Sequence, residues 1–371
     1  MKCIIIADNL KKALSIVERA TSKDLTLPIL GSFFIATDSG FLRIMGTNLE
    51  IGIQTTVRCT VSEQGSVVIP SKQLLSYIST LPKDEKIIID SSGTDVILTV
   101  QGQETNIKGY QQEDFPPFPI VKDLYKASAY KKDISQFFQR ILVSVSKSSI
   151  KQELASIFVV LEKETLLVAS TDSFRLSEES IKLQSLSTKN QRESFLIPSR
   201  TFEEIIRLAD QSSSENIEFL IGKGECIFKL GDITLYSRLI EGNFPDYKQI
   251  IPRNFKTHGT LVRQEVVTQL RRASIFANKL NSVSFAVNVK EKSITIESKN
   301  NQGAYKGIMK CEFDGDDLST VFNFQYLLQG VEAYSEEKLF FGFNSESQPL
   351  LIKPSGREGS LHIVMPMKGT A

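Results

Sequence analysis

The sequence predicts an α+β protein built from one unit used three times, and three observations carry that prediction. First, a helix-opening string recurs at a near-constant interval. Val68-Ile69-Pro70-Ser71 is followed 128 residues later by Leu196-Ile197-Pro198-Ser199, and 125 residues after that by Val321-Phe322-Asn323-Phe324. A fixed long period marks a repeated unit rather than one large fold. Second, each string leads into a helical pattern and then an apolar strand. Lys72 to Leu81 precedes Lys86-Ile87-Ile88-Ile89, Thr201 to Ala209 precedes Ile217 to Ile221, and Gln325 to Tyr334 precedes Lys338 to Phe341. Third, strand patterns dominate, with two helices for roughly eight strands in each unit. That ratio suits antiparallel sheet covered by helices on one side, not the strict alternation of a doubly wound fold.

Each unit opens with a polar cap and an amphipathic helix: Asp8 to Ala20, Asp133 to Val145, Gln264 to Ala277. A strand pair follows, then a polar turn: Thr47-Asn48-Leu49, Thr171-Asp172-Ser173, Ser298-Lys299-Asn300. Units one and two close on Phe115-Pro116 and Phe244-Pro245, unit three on Met365-Pro366. The expected domains are residues 1–125, 126–255 and 256–371, each of ordinary domain size.

Composition narrows the function. At 41% hydrophobic the 371-residue chain can bury several ordinary cores. It contains no apolar run long enough for a membrane span and no signal-peptide segment, so a cytoplasmic protein is expected. Four scattered cysteines fit free thiols in a reducing compartment. With 44 basic and 43 acidic residues, the net charge of +1 argues against gripping nucleic acid over the whole surface. It allows bases gathered on one face. Two histidines leave few general bases, and no zinc spacing or phosphate loop is present. No cofactor, metal or catalytic residue is expected. Ser144-Val145-Ser146-Lys147 fits Ser-x-x-Lys, but its companion motifs are missing.

The opening helices carry the functional signal. Leu10, Leu14 and Val17 form one core stripe, with Lys12, Arg19 and Lys23 on the other side. In the second unit Ile134, Phe137, Phe138, Ile141 and Leu142 point inward, and Arg140, Lys147 and Lys151 outward. In the third, Val266, Val267 and Leu270 are core, beside Arg263, Arg271, Arg272 and Lys279. Lys72, Arg200 and Arg207 add bases from the second helices. Bases at equivalent helical positions, with few aromatics among them, suit sequence-blind contact with duplex phosphates.

At this point the residues resemble the bacterial sliding clamps, the beta subunit of DNA polymerase III. The markers are Thr26-Leu27-Pro28-Ile29-Leu30, Thr171-Asp172-Ser173-Phe174-Arg175-Leu176, Glu241-Gly242-Asn243-Phe244-Pro245-Asp246-Tyr247 and Met365-Pro366-Met367-Lys368. They occur in order across essentially the whole chain. The resemblance implies three clamp-type domains per chain and a homodimer closing into a six-domain ring, sheets outside and helices lining the hole. It implies a non-catalytic processivity factor that encircles duplex DNA. Expected partners are the polymerase III catalytic subunit, a clamp loader, and other polymerases and repair proteins carrying a short motif rich in Gln, Leu and Phe.

Carried over residue by residue, the motif pocket is Leu154, Thr171, Ser173, Phe174, Arg175 and Leu176 on one side. Pro245, Gln249, Ile250, Ile363, Val364, Met365, Pro366 and Met367 form the other. Ser173, Phe174 and Gln249 depart from the family's common Gly, His and Arg, and Gly369-Thr370-Ala371 extends past its usual end. The ring seam falls on Ile275 and Phe276, with Thr105-Asn106-Ile107 opposite. The DNA-facing set is Lys12, Arg19, Lys23, Lys147, Ser148, Lys151, Arg200, Arg207 and Arg271, with Asp24 where a base is common. Two other readings stay open on the residues alone: a serine acyl-enzyme using Ser144 and Lys147, and a scaffold that binds proteins without DNA.

Overall fold

The computed structural model describes residues 1–22, 27–118, 125–148, 150–187 and 192–367. The chain divides into two compact units: residues 1–135, 184–189 and 200–239 form unit 1, and residues 136–183, 190–199 and 240–371 form unit 2. The α-helices among the described residues are α1 Ala7–Val17, α2 Ser71–Ser79, α3 Lys131–Leu142, α4 Ser199–Gln211, α5 Arg263–Ser274 and α6 Phe324–Glu332.

Unit 1 holds a five-stranded and a nine-stranded sheet. The first runs Thr60–Glu63, Lys2–Ile6, Lys86–Ser92, Asp95–Val100, Gln103–Lys108. The second runs Ser185–Ser187, Tyr125–Tyr130, Asn216–Ile221, Glu225–Leu230, Ile233–Arg238, Ile51–Arg58, Phe41–Thr47, Ser32–Asp38, Gly65–Pro70. Unit 2 holds a nine-stranded and a four-stranded sheet. The larger runs Arg192–Pro198, Ser156–Glu162, Thr165–Thr171, Arg175–Lys182, Ser360–Val364, Leu350–Pro354, Lys338–Phe343, Thr257–Val262, Phe313–Asp314. The smaller runs Gly303–Lys310, Ser293–Asn300, Ser282–Asn288, Leu318–Asn323.

The two nine-stranded sheets are the same construction. Each joins a four-strand half from one repeat to a five-strand half from the next, antiparallel throughout. The junction pairs Ile51 with Ser237 and Gly52 with Tyr236 in unit 1. In unit 2 it pairs Arg175 with Val364 and Leu176 with Ile363. The five-stranded sheet is an unjoined five-strand half, and the four-stranded sheet an unjoined four-strand half. The repeat read from the sequence is therefore present at the level of hydrogen-bonded strands.

The opening helices bury the stripes their periodicity predicts. Leu10, Leu14, Val17, Ile134, Phe137, Phe138, Ile141, Val266 and Leu270 are all fully buried, each worth about 2 kcal/mol of apolar transfer. Leu142 is half-buried. The expected polar caps are corrected. The N-cap residues of α1 and α5 are Ile6 and Val262, and neither makes a side-chain cap. These helices start directly out of a strand. Their first N–H is satisfied by a carbonyl in the loop before a neighbouring strand: Ala7 to Glu85, Lys131 to Glu215, Arg263 to Glu337, each 2.8 Å.

The polar turns are corrected by one residue in the third repeat. Asn48 Oδ1 accepts from Glu50 and Ile51 N–H, Asp172 Oδ1 from Phe174 and Arg175, and Asn300 Oδ1 from Gln302 and Gly303. The equivalent of Thr171-Asp172-Ser173 is thus Lys299-Asn300-Asn301. The closing segments shift too. Tyr110 N–H bonds to Val68 O, Ile240 to Leu196 O and Met367 to Val321 O, so Met365-Pro366 precedes the position of the two Phe-Pro pairs instead of matching it.

Candidate docking cleft, basic helix faces and open sheet edges

The turn at Asp172 shapes the first candidate site, which lies within unit 2. Thr171 Oγ1 accepts from Ser173 N–H at 3.1 Å and donates to Arg175 O at 2.7 Å. Ser173 sits at φ 77°, a left-handed position that favours Gly; the turn's hydrogen bonds hold it there. The tight turn turns Phe174 outward, 60% exposed, while Arg175 is buried. Arg175 Nε donates to Asp172 Oδ2 at 3.0 Å, its guanidinium lies 4.5 Å over the Tyr326 ring, and its Nη1 bonds Gln329. Phe174 lies roughly parallel to Tyr326, ring centroids 6.4 Å apart. Burial raises the Tyr326 phenol above its ordinary value, helped by the Asp172 carboxylate.

The floor is apolar. Ala169, Leu176, Tyr247 and Ile363 form a buried cluster, packed by Phe158 and Phe244. Tyr247 donates to Glu178 at 2.5 Å, and burial and that contact push its phenol up. Leu154, Thr171 and Val364 are buried; Met365, Pro366 and Met367 are half-buried; Pro245, Gln249 and Ile250 are exposed. Met365 N–H bonds Phe174 O at 2.8 Å, so the two sides named from the sequence meet. Tyr326 and Gln329 of α6 also belong here. Sequence reasoning missed them because nothing local to α6 marks them.

Beneath this cleft, Ser144 and Ser177 lie 2.8 Å apart and Ser177 is 2.9 Å from His362 Nδ1. Ser144 is fully buried with its hydroxyl against Ser177, while Lys147 is exposed. Burial, with the Arg175 charge, holds the His362 imidazole down to about 3. Arg140 corrects the sequence reading: it is buried, 2.9 Å from Glu179, which also meets Arg357 at 3.4 Å.

The residues expected to face DNA divide by how they are held. Lys147, Ser148 and Lys151 are exposed. Lys12 pairs with Asp8 at 2.7 Å, Arg19 with Glu204 at 3.3 Å and Arg271 with Glu332 at 2.6 Å. Arg200 is exposed and reaches Arg19 O at 3.4 Å. Arg207 is mostly buried, held by Glu204 at 2.6 Å and Ile16 O at 2.8 Å, so it stiffens a helix more than it offers a free charge. Lys23, Asp24 and Thr26, and the terminal Lys368 to Ala371, lie outside the described residues.

The third feature is a pair of open edges. Gln103–Lys108 ends the five-stranded sheet and Gly303–Lys310 ends the four-stranded one, with no strand on their outer sides among the described residues. Gly109 N–H bonds Thr94 O at 2.7 Å. Antiparallel alternation then bonds Thr105 and Ile107 inward and leaves the Asn106 N–H facing out. Ile107 is buried and Thr105 half-buried. Ile275 is 69% exposed just after α5, beside half-buried Phe276. The strand Gly303–Lys310, with Ile308 57% exposed, was not singled out from sequence.

Among the described residues no helix is long and apolar enough to cross a membrane, and no His, Cys, Asp and Glu cluster could hold a metal. The cysteines are free, and burial pushes the Cys3 thiol up to about 12.

Three repeats, adjoining ones sharing an antiparallel sheet, with bases on their helices and an apolar cleft, define a repeat protein of the clamp class. The chain belongs to the DNA polymerase III beta subunit family, the sliding clamps. Models of that subunit's N-terminal, central and C-terminal domains match residues 1–119, 130–246 and 248–368. A curated beta sliding clamp of Synechocystis is 29% identical over 396 residues, covering 99% of each chain. One of Staphylococcus aureus is 23% identical, covering 94% of each. The solved Bacillus subtilis sliding clamp superposes with TM-score 0.94 at 22% identity, covering 100% of this chain and 99% of that one. The Pseudomonas aeruginosa beta subunit gives 0.92 at 21%, with full coverage of both. The family is one of non-catalytic processivity factors.

Proposed function

We propose that two copies of this chain close head to tail into a ring that encircles duplex DNA, slides on it and tethers a replicative polymerase in the cytoplasm. Replication and repair proteins would dock in the cleft around Phe174, Arg175 and Ile363. Each chain contributes three domains, 1–125, 126–255 and 256–371.

The observation that carries this reading is the pair of unjoined half-sheets. Each nine-stranded sheet shows how a four-strand half meets a five-strand half. The chain keeps one half of each kind with its joining edge free. Transferring the internal register pairs Gly303 with Ile107, Ala304 with Asn106, Tyr305 with Thr105 and Lys306 with Glu104 of a second copy. The last pair is of opposite charge, favourable across strands by about 0.2–1 kcal/mol. A contact that uses different surfaces on the two partners closes when the rotation permits, and two copies supply two such seams. Lys12, Arg19, Lys147, Ser148, Lys151, Arg200 and Arg271 then supply phosphate contacts without base readout.

The test is retention on nicked circular DNA. The protein is loaded with a cognate clamp loader and ATP, and the DNA is then linearised. Loss on linearisation supports topological linkage; retention on linear DNA sinks the ring reading. A stable monomer with no DNA association would move the weight to a protein-only scaffold.

A further inference from the structure

The repeat places a second cleft in unit 1, built on the same turn and the same sheet junction as the docking cleft. Gly52 stands where Leu176 stands, Tyr236 where Ile363 stands, and Arg238 where Met365 stands. The junction pairings give the first two correspondences. Arg238 N–H bonds Glu50 O at 3.0 Å as Met365 N–H bonds Phe174 O at 2.8 Å, which gives the third. Phe115 packs on Phe34 as Phe244 packs on Phe158, so Phe118 takes the place of Tyr247. With Phe118 as part of its lining, the unit 1 cleft leaves about 270 Å³ open.

Phe118 fills one seat in that lining, over Gly52. The ring stacks on Tyr236 at 4.5 Å with a 5° interplanar angle. Gly52 admits it, because a Cβ there would lie 2.1 Å from Phe118 Cε1. The two aromatic residues are held differently. Tyr247 is buried and anchored by its hydroxyl to Glu178 at 2.5 Å. Phe118 is half-buried and has no hydroxyl to anchor. Stacking of this kind is worth only about 0.5–1.5 kcal/mol beyond burial, so a competing ring can take the same seat. Glu50 and Glu225 line the cleft against Arg238, which leaves an acidic excess for a basic neighbour of that ring.

We propose that this cleft is a second docking site, gated by Phe118, for a peptide carrying an aromatic side chain beside a lysine or arginine. The proposal rests on the docking reading for its analogy, but its probe binds in unit 1 and the family motif in unit 2. Failure of one is therefore visible apart from failure of the other.

The probe is an acetylated, amidated Lys-Phe-Lys peptide titrated into the full chain, followed by methyl NMR of Ile51, which lines the cleft. Phe118→Ala empties the seat. Phe118→Val keeps an apolar side chain but removes the ring, which guards against a folding defect in the first variant. Both variants are expected to bind the probe at least tenfold more tightly than wild type, with the Ile51 methyl shifting. Glu50→Lys in the Phe118→Ala background is expected to reverse most of that gain. Two folded variants that bind no better than wild type would overturn the proposal, as would equal gains for Lys-Phe-Lys and Glu-Phe-Glu. A Gln-Leu-Phe-type peptide titrated alongside reports on the unit 2 cleft; its failure to bind would count against that docking reading alone.

Discussion

Asn106→Pro isolates the seam from the fold. The Asn106 N–H faces away from the strand Asp95–Val100, so proline removes no backbone bond within the chain, only the side-chain bond from Asn106 to Asp95, and free edge strands tolerate proline. In the proposed ring, Asn106 and Ala304 of a second copy exchange both backbone bonds, as Tyr236 and Gly52 are paired inside unit 1. Proline deletes one bond, leaves the Ala304 carbonyl poorly satisfied and crowds the other bond. That amounts to about 2–3 kcal/mol per seam. Separating a ring into monomers breaks two seams, so the dimer loses about 4–6 kcal/mol, a rise in dissociation constant of roughly 10³–10⁴. Sedimentation velocity across a dilution series measures this, with a thermal melt confirming that the chain is folded. Thr105→Pro is the contrast, because Thr105 bonds inward to Leu98 and its loss should lower monomer stability. An Asn106→Pro protein that stays dimeric with the wild-type dissociation constant would refute the register and the seam.

Other outcomes follow from the same geometry. Phe174→Ala should weaken a Gln-Leu-Phe-type peptide about tenfold in calorimetry, since a 60% exposed ring is lost from the cleft without disturbing the core. Glu179→Ala leaves Arg140 buried without its 2.9 Å partner and should cost about 3–5 kcal/mol in urea unfolding. The His362 imidazole is held down to about 3 by burial against an ordinary 6.5. Its contribution is therefore present above pH 6.5 and lost as pH falls toward 3, about 2 kcal/mol at pH 5. Denaturant unfolding at pH 7 and pH 5 should show that loss in wild type and much less of it in His362→Gln. Lys147→Ala and Lys151→Ala should each lower the slope of log affinity for duplex DNA against log salt by about 0.9, read by fluorescence anisotropy.

How much was legible in the sequence depends on the range of the interaction concerned. The stripes Leu10–Leu14–Val17 and Val266–Leu270 were readable because helical spacing is a local property. The turn at Thr171-Asp172-Ser173 was readable because Asp172 bonds its own near neighbours. Its third counterpart slipped to Ser298-Lys299-Asn300 because the polar run offers several candidate turn residues, and only the Gln302 and Gly303 amides identify Asn300. Arg140 looked solvent-facing because helix spacing cannot see Glu179, which a separate strand brings alongside. Tyr326, Gln329 and the open strand Gly303–Lys310 were hidden for the same reason. Each acquires its place from sheet pairing or helix docking between distant segments.

The basic faces bear on how the proposed ring would hold DNA. Lys12, Arg19 and Arg271 each already touch a carboxylate on their own chain. A phosphate approaching them competes with that carboxylate, and the exposed pairs are easily exchanged because surface ion pairs are weak. The net attraction to the duplex is therefore smaller than a count of bases suggests, and the contacts carry no sequence information. For a protein that must stay on DNA by topology and move freely along it, that is the useful regime. Strong unpaired bases would hold the ring at one position, and the binding they added would be redundant with closure. Residence on circular DNA should accordingly depend on Asn106 and the strand Gly303–Lys310 far more than on any single lysine. Sliding speed should depend on the lysines instead. A single-molecule measurement that found residence time set by Lys147 and Lys151, with Asn106→Pro indifferent, would invert this division and remove the argument for a ring.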